Sequence, residues 1–104
     1  MSKSYNKLVR DGIPQIIKES GRKCDTRKLS DNEYNEALLN KVIEEIEEFR
    51  ISNNEEELAD IYEVLDALIK FKGFEPLHID YLKMKKRKSR GSFNDKIFLE
   101  KVEE

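Results

Sequence analysis

Apolar residues recur at helical spacing along two central stretches of the chain. The first stretch carries Leu38, Leu39, Val42, Ile46 and Phe49, and the second carries Leu58, Ile61, Leu65, Leu68 and Ile69. Because residues three, four and seven apart share one face of an α-helix, each stretch predicts a helix with one apolar face. Two such helices in succession bury these faces by packing as an antiparallel hairpin.

Capping residues predict where these helices begin and end. Ser30 followed by Glu33 fits a capping box, so the first long helix is expected to begin there and to run to about Ile51. Asn54 is the expected N-cap of the second helix, which is expected to end at Gly73.

The rest of the chain predicts shorter elements. A short helix is expected over 15–20, and Pro76 is expected to open a third helix that reaches about Ser89, with its inward residues Leu77, Tyr81 and Met84. The segments 23–29 and 96–102 are candidates for a minor two-stranded β pairing. The predicted fold class is all-α (mainly α): an antiparallel helical hairpin plus a third helix, which forms a four-helix-type bundle on oligomerisation.

Composition predicts one small domain with a thin core. The chain has 104 residues, of which 38% are hydrophobic and 40% charged, and a single domain spanning 1–104 is expected. A compact chain of this length has a radius of gyration of about 13 Å. The lone Cys24 excludes an internal disulfide, and neither a signal sequence nor an apolar run of membrane-spanning length is recognisable. We expect a cytoplasmic protein with no membrane association.

Charge is segregated along the chain although the net charge is only −2. The segment 44–60 holds eight acidic residues and one basic residue, whereas 83–90 holds six basic residues and no acidic one. A nucleic-acid-binding domain is usually basic overall, with a pI above about 9, so nucleic acid is not the expected partner here. An acidic and a basic segment in one small domain suit a metal beside phosphate groups.

Four acidic residues occupy the edge of the apolar faces. Glu45 and Glu48 lie three residues apart on the first long helix, and Glu57 and Asp60 repeat that spacing on the second. Packed carboxylates repel one another unless a proton or a cation lies between them. Oxygen ligands without His or Cys suit Mg²⁺, with Mn²⁺ as a substitute. The alternative is a solvated acidic surface with ion pairs within the helix.

The basic segment offers a complement to these carboxylates. Lys83, Lys86 and Arg90 are spaced so that one helix face could present them together to a phosphate group, and Lys7 and Arg10 can add further phosphate contacts. The alternative is a solvated basic run that the helix dipole favours at a helix C-terminus.

The chain resembles the MazG-like all-α nucleoside triphosphate pyrophosphohydrolases in several motifs. These are the acidic motifs EExxE (44–48) and ExxD (57–60), the surrounding sequence EELADIYEVLDAL and the later RGSF. This superfamily includes phosphoribosyl-ATP pyrophosphohydrolase. The opening YNKLVRDGIPQII and the closing KIFLEKV resemble a small subgroup of it, so the resemblance covers nearly the whole chain.

The resemblance implies Mg²⁺-dependent cleavage between the α- and β-phosphates of a nucleotide, which yields a monophosphate and pyrophosphate. It implies that Mg²⁺ is held by Glu45, Glu48, Glu57 and Asp60, that Glu44 lies behind them or holds an additional ion, and that Lys86 and Arg90 bind phosphate. Members form dimers or tetramers. Glu45 or Glu48 is the expected general base. The chain departs from the pattern at Gly12 and Ser92 and in the short connection between the acidic motifs.

Two other functions fit the same residues. One is a non-catalytic nucleotide-binding module of the same fold. The other is a helical interaction protein whose acidic and basic segments pair between protomers, and high salt would weaken that pairing sharply.

Overall fold

The computed structural model describes residues 2–103, and these residues form four helices without a strand. The helices are α1 (Ile13–Glu19), α2 (Asp31–Ser52), α3 (Glu55–Phe71) and α4 (Pro76–Arg90). The all-α prediction is therefore confirmed. The two end residues of the predicted 1–104 domain, Met1 and Glu104, lie outside the described residues. No helix within 2–103 is long and apolar enough to cross a bilayer.

Helix boundaries follow the capping residues closely. The Ser30 side chain accepts a hydrogen bond from the Glu33 backbone N–H, and the Glu33 carboxylate accepts one from the Ser30 backbone N–H, which completes the predicted capping box. At the N-terminus of α3, the Asn54 side chain accepts from the Glu56 backbone N–H. The link between the helices is short because Asn53 adopts a left-handed conformation (φ 51°) and reverses the chain.

α2 and α3 form the expected antiparallel hairpin, and their packing is the main tertiary contact of the chain. The Tyr34 ring near the start of α2 meets the Phe71 ring at the end of α3 edge-to-face, with 5.0 Å between the ring centroids. This contact closes the open end of the hairpin, opposite the Asn53 turn. The second half of α2 consequently faces the first half of α3.

α4 contributes little to this core. It contacts only α3, which it follows after a turn in which Gly73 has a positive φ of 73°. The prediction that Leu77, Tyr81 and Met84 point inward is wrong for the single chain, because they are 80%, 50% and 59% exposed. No second layer of helix lies against that face within the described chain.

The predicted pairing of 23–29 with 96–102 is also absent from the described structure. A lone two-stranded ribbon is marginally stable in water unless something covers its apolar side chains. Here the apolar residues of the second segment stay in solvent: Ile97 is 85% exposed and Phe98 is 86% exposed.

The single chain is extended. Its radius of gyration is 18.4 Å, against about 13 Å expected for a compact chain of this length. Leu38 is the one fully buried hydrophobic side chain in the described part of the chain. The thin core predicted from composition is thus present, and most large apolar side chains retain substantial contact with solvent.

Candidate metal centre

The hairpin brings three of the predicted metal-binding carboxylates together. Glu45 on α2 and Glu57 and Asp60 on α3 each place a carboxylate oxygen within 4.8 Å of the other two. Glu57 and Asp60 lie one helical turn apart on the same face, close to the start of α3. Glu45 faces them because the tight Asn53 turn aligns the end of α2 with the beginning of α3.

Glu45 is buried, although it carries a carboxylate. It is 6% exposed, and its Oε2 atom has no hydrogen-bond partner among the residues described. Glu57 likewise has a buried Oε2 atom without a partner. Since almost all buried polar atoms in proteins are hydrogen-bonded, two unpartnered oxygens at one place fit a site that can hold a cation. A cation that binds carboxylate oxygens would satisfy both.

Ionisation of the cluster is disfavoured in the absence of a cation. Burial, followed by the charge of Glu48, raises the pKa of Glu45 above its ordinary value, against the opposing effect of Lys41. The pKa of Glu57 is also raised, chiefly by desolvation of its carboxyl group and then by the charges of Glu48 and Glu45. Like charges this close make the metal-free site electrostatically unfavourable.

Glu48, the fourth predicted ligand, lies beside the cluster and is not part of it. Its side chain is exposed, and it does not belong to the group of oxygens within 4.8 Å. Its charge nevertheless raises the pKa of both Glu45 and Glu57, so it belongs to the same electrostatic environment.

Two predicted phosphate-binding residues lie against the acidic cluster. Arg10 Nη2 is 2.7 Å from Asp60 Oδ1, and this hydrogen bond is the main reason that the pKa of Arg10 is raised. Lys7 Nζ is 3.4 Å from Glu44 Oε1. The segment that precedes α1 is therefore attached to the acidic faces of both α2 and α3.

Lys41 is a site residue that the sequence interpretation missed. Its Nζ lies 3.1 Å from Glu44 Oε2 and 3.4 Å from Glu45 Oε1, and its side chain is only 16% exposed. Burial opposes ionisation of Glu44, but the hydrogen bond and charge of Lys41, together with Lys7, hold the pKa of Glu44 below its ordinary value. The spacing of Lys41 three and four residues before these glutamates could have indicated the pairing.

The three predicted phosphate-binding residues of α4 are not brought to the cluster by the single chain. Lys83, Lys86 and Arg90 are exposed, and none of them forms an ion pair with a carboxylate in the described range. α4 contacts α3 alone, and the three residues lie between its midpoint and its C-terminus.

Comparisons with known proteins give one partial match and no family. The chain is 50% identical over 46 residues to an uncharacterized protein of Mycolicibacterium smegmatis. The match covers 44% of this chain and 47% of that protein, so this chain spans less than half the length of its relative. No protein-family model and no solved structure matches the chain.

Proposed function

We propose that the protein is a Mg²⁺-dependent nucleoside triphosphate pyrophosphohydrolase of the MazG-like type. It would cleave between the α- and β-phosphates and release a nucleoside monophosphate and pyrophosphate, and its role would be to cleanse the nucleotide pool. The observation that supports this best is the cluster of Glu45, Glu57 and Asp60, in which two buried carboxylate oxygens have no partner. The type of reaction is inferred from the resemblance of the acidic motifs to those of the MazG-like enzymes.

The donor set fits Mg²⁺, and Mn²⁺ could replace it. Glu45, Glu57 and Asp60 offer only carboxylate oxygens, which hard divalent cations prefer. The charge of Glu48 acts on Glu45, so Glu48 is near enough to join them as a fourth ligand. A bound divalent cation would neutralise the repulsion between the carboxylates, polarise the phosphate oxygens and make water a better nucleophile.

Residues of the chain supply proton transfer and phosphate binding around this site. Glu48 is exposed next to the cluster, so its carboxylate can accept a proton from an attacking water, and Glu45 is the alternative general base. Arg10 and Lys7 lie at the rim, where their N–H groups can donate to phosphate oxygens.

A homodimer or homotetramer completes the proposed enzyme. Large apolar side chains are exposed on both hairpin helices: Ile43 (61%), Ile46 (43%), Leu58 (42%) and Tyr62 (70%). Packing between copies would cover them and could bring Lys83, Lys86 and Arg90 of one copy to the carboxylates of another. We also propose a cytoplasmic location, where nucleoside triphosphates are available as substrates. Neither a membrane nor a nucleic acid is a proposed partner.

The experiment measures pyrophosphate release from a panel of canonical and modified nucleoside triphosphates with Mg²⁺, with Mn²⁺ and with a chelator. The wild-type protein should release pyrophosphate only with metal, and Glu45→Gln and Asp60→Asn should fall to the chelator background. Glu47→Gln is the matched control, because the Glu47 side chain is 56% exposed and pairs with Arg50 away from the cluster.

Other results would support a different function. Metal-dependent nucleotide binding without turnover of any member of the panel would favour a non-catalytic nucleotide-binding module. No metal binding, together with self-association that weakens with salt, would favour a helical interaction module.

A further inference from the structure

Two cations attach the segment that precedes α1 to the hairpin: Arg10 contacts the candidate metal centre at Asp60, and Lys7 contacts Glu44 beside it. Lys7 and Arg10 reach carboxylates that lie 37 and 50 residues further along the chain, on α2 and α3 respectively. Residues 2–12 contain no helix or strand of their own. These two ion pairs are the ones that the segment makes with the hairpin, within the described residues.

Arg10 occupies an oxygen that a metal would need. Asp60 Oδ1 is 2.7 Å from the Arg10 guanidinium, and Asp60 is one of the three residues whose oxygens converge. A divalent cation among these oxygens would lie within a few ångströms of the guanidinium, and like charges at such a distance repel. Arg10 and a divalent cation therefore compete for Asp60.

Lys7 pairs with Glu44, which precedes Glu45 on α2 and is not one of the three converging residues. Glu44 is held by both Lys7 and Lys41, so release of Lys7 leaves Glu44 with a partner at 3.1 Å. The Arg10 and Lys7 side chains are 57% and 40% exposed, and exposed ion pairs of this kind are weak. Both cations can consequently leave their carboxylates without unfolding the hairpin.

We infer that Arg10, assisted by Lys7, is a tethered cation that competes with the divalent ion for the carboxylates and moves to the substrate phosphates when the ion binds. The inference rests on the proposed function, because it assigns an order of events at the same site. Metal binding and substrate binding are therefore coupled. The ion frees the cations that bind phosphate, and an anionic substrate that binds those cations raises the affinity for the ion.

The first test measures Mn²⁺ binding alone, by electron paramagnetic resonance of free Mn²⁺, in the absence of nucleotide. Arg10→Gln should bind Mn²⁺ about two- to fivefold more tightly than wild type, because the ion no longer displaces an ion pair of this class. The matched control is Arg50→Gln, which removes the same charge from an ion pair with Glu47 on α2 and should leave the affinity close to that of wild type. Equal or weaker Mn²⁺ binding by Arg10→Gln would overturn the inference.

The second test measures the transfer to phosphate with inorganic tripolyphosphate as the probe. Calorimetry on Mn²⁺-saturated protein should show that Arg10→Gln binds tripolyphosphate about three- to tenfold more weakly than wild type and Arg50→Gln, because a charge-assisted contact is lost. Unchanged tripolyphosphate affinity would contradict the movement of Arg10 to phosphate.

A fluorescence measurement follows the segment itself. The chain contains no tryptophan, and the Lys3 and Lys7 ammonium groups lie 5.1 Å and 5.8 Å from the centroid of the Tyr5 ring. When Mg²⁺ is added to the Tyr5→Trp variant, the tryptophan emission should change, and the midpoint of that change should match the midpoint of metal binding. An emission that stays constant while metal binds would show that the segment does not move.

Failure of the proposed function gives a different pattern. If wild type binds Mn²⁺ and Asp60→Asn does not, the proposed metal centre is supported. The affinity of Arg10→Gln for Mn²⁺ then tests whether Arg10 competes with the ion. If wild type and Asp60→Asn bind Mn²⁺ equally weakly, the metal centre and the inference both fail.

Discussion

Replacement of Glu45 by glutamine should stabilise the metal-free protein while it removes metal binding. Glu45 is 6% exposed, and the burial of its carboxyl group, followed by the charge of Glu48, raises its pKa. The amide of Gln is neutral and nearly isosteric, and its N–H can donate to the unpartnered Glu57 oxygen. Lys41 loses the Glu45 contact at 3.4 Å but keeps Glu44 at 3.1 Å.

The expected gain in free energy of unfolding is about 1 kcal/mol, the usual size for relieving a functional site of unfavourable electrostatics. In a domain of this size such a gain raises Tm by about 4–8 °C. With Mg²⁺ bound, the order of stability should reverse, so that wild type is more stable than Glu45→Gln. At a free Mg²⁺ concentration of about 100 times Kd, wild type gains about 2.7 kcal/mol, whereas Glu45→Gln gains little.

The assay is thermal unfolding followed by circular dichroism at equal protein concentration, with chelator and with Mg²⁺. Glu47→Gln is the control, and its stability should stay within about 0.5 kcal/mol of wild type because that side chain is exposed. A Glu45→Gln protein that is less stable than wild type in chelator would refute the view that the cluster is electrostatically unfavourable without metal.

The pH dependence provides a second check on the same variant. The folded-state pKa of Glu45 lies above its ordinary value of 4.5. Ionising Glu45 in the folded protein lowers the free energy of unfolding. This loss is therefore absent below pH 4.5, grows as the pH rises towards the folded-state pKa, and reaches its full size above the folded-state pKa. The advantage of Glu45→Gln in chelator should be largest at neutral pH and should shrink as the pH falls towards 4.5. An advantage that grows on acidification would contradict this assignment.

Further variants test the fold and the proposed phosphate-binding residues. Ser30→Ala should lower the free energy of unfolding by about 1 kcal/mol in denaturant titrations, because the N-cap hydrogen bond to Glu33 is lost, and an unchanged midpoint would contradict the capping box. Leu38→Ala should cost about 2–5 kcal/mol by the same measurement, since it empties the most buried apolar position, and a cost below 1 kcal/mol would show that the site collapses freely. The double variant Lys86→Gln with Arg90→Gln should raise KM for the triphosphate about tenfold and leave Mg²⁺ affinity unchanged; an unchanged KM would remove α4 from the site.

Local features of the fold were predictable because their causes lie within a few residues. Ser30 with Glu33, and Asn54, fix the starts of α2 and α3 through side-chain hydrogen bonds to nearby backbone N–H groups. The approach of Glu45 to Asp60 was also predictable, because a tight turn between two helices with apolar faces aligns residues on either side of it.

The remaining features depend on contacts that no short pattern encodes. The pairing of Arg10 with Asp60 requires the path of the segment before α1, which has no regular structure to indicate it. The exposure of Leu77 depends on whether another helix packs against α4, and the helical period alone cannot tell a face that packs within the chain from one that awaits a second copy. The strand prediction for 96–102 failed for a similar reason, because β-inclined residues need a sheet to join.

We propose that this carboxylate cluster supports cleavage between the α- and β-phosphates of a nucleotide. Phosphorus-31 NMR of the reaction products tests it most directly, because the spectrum identifies which phosphorus–oxygen bridge is broken. With Mg²⁺ and a nucleoside triphosphate that the protein hydrolyses, we predict resonances of the monophosphate and pyrophosphate, and none of these in Glu45→Gln. A nucleoside diphosphate with inorganic phosphate, or the same products from Glu45→Gln at the wild-type rate, would contradict the proposed function.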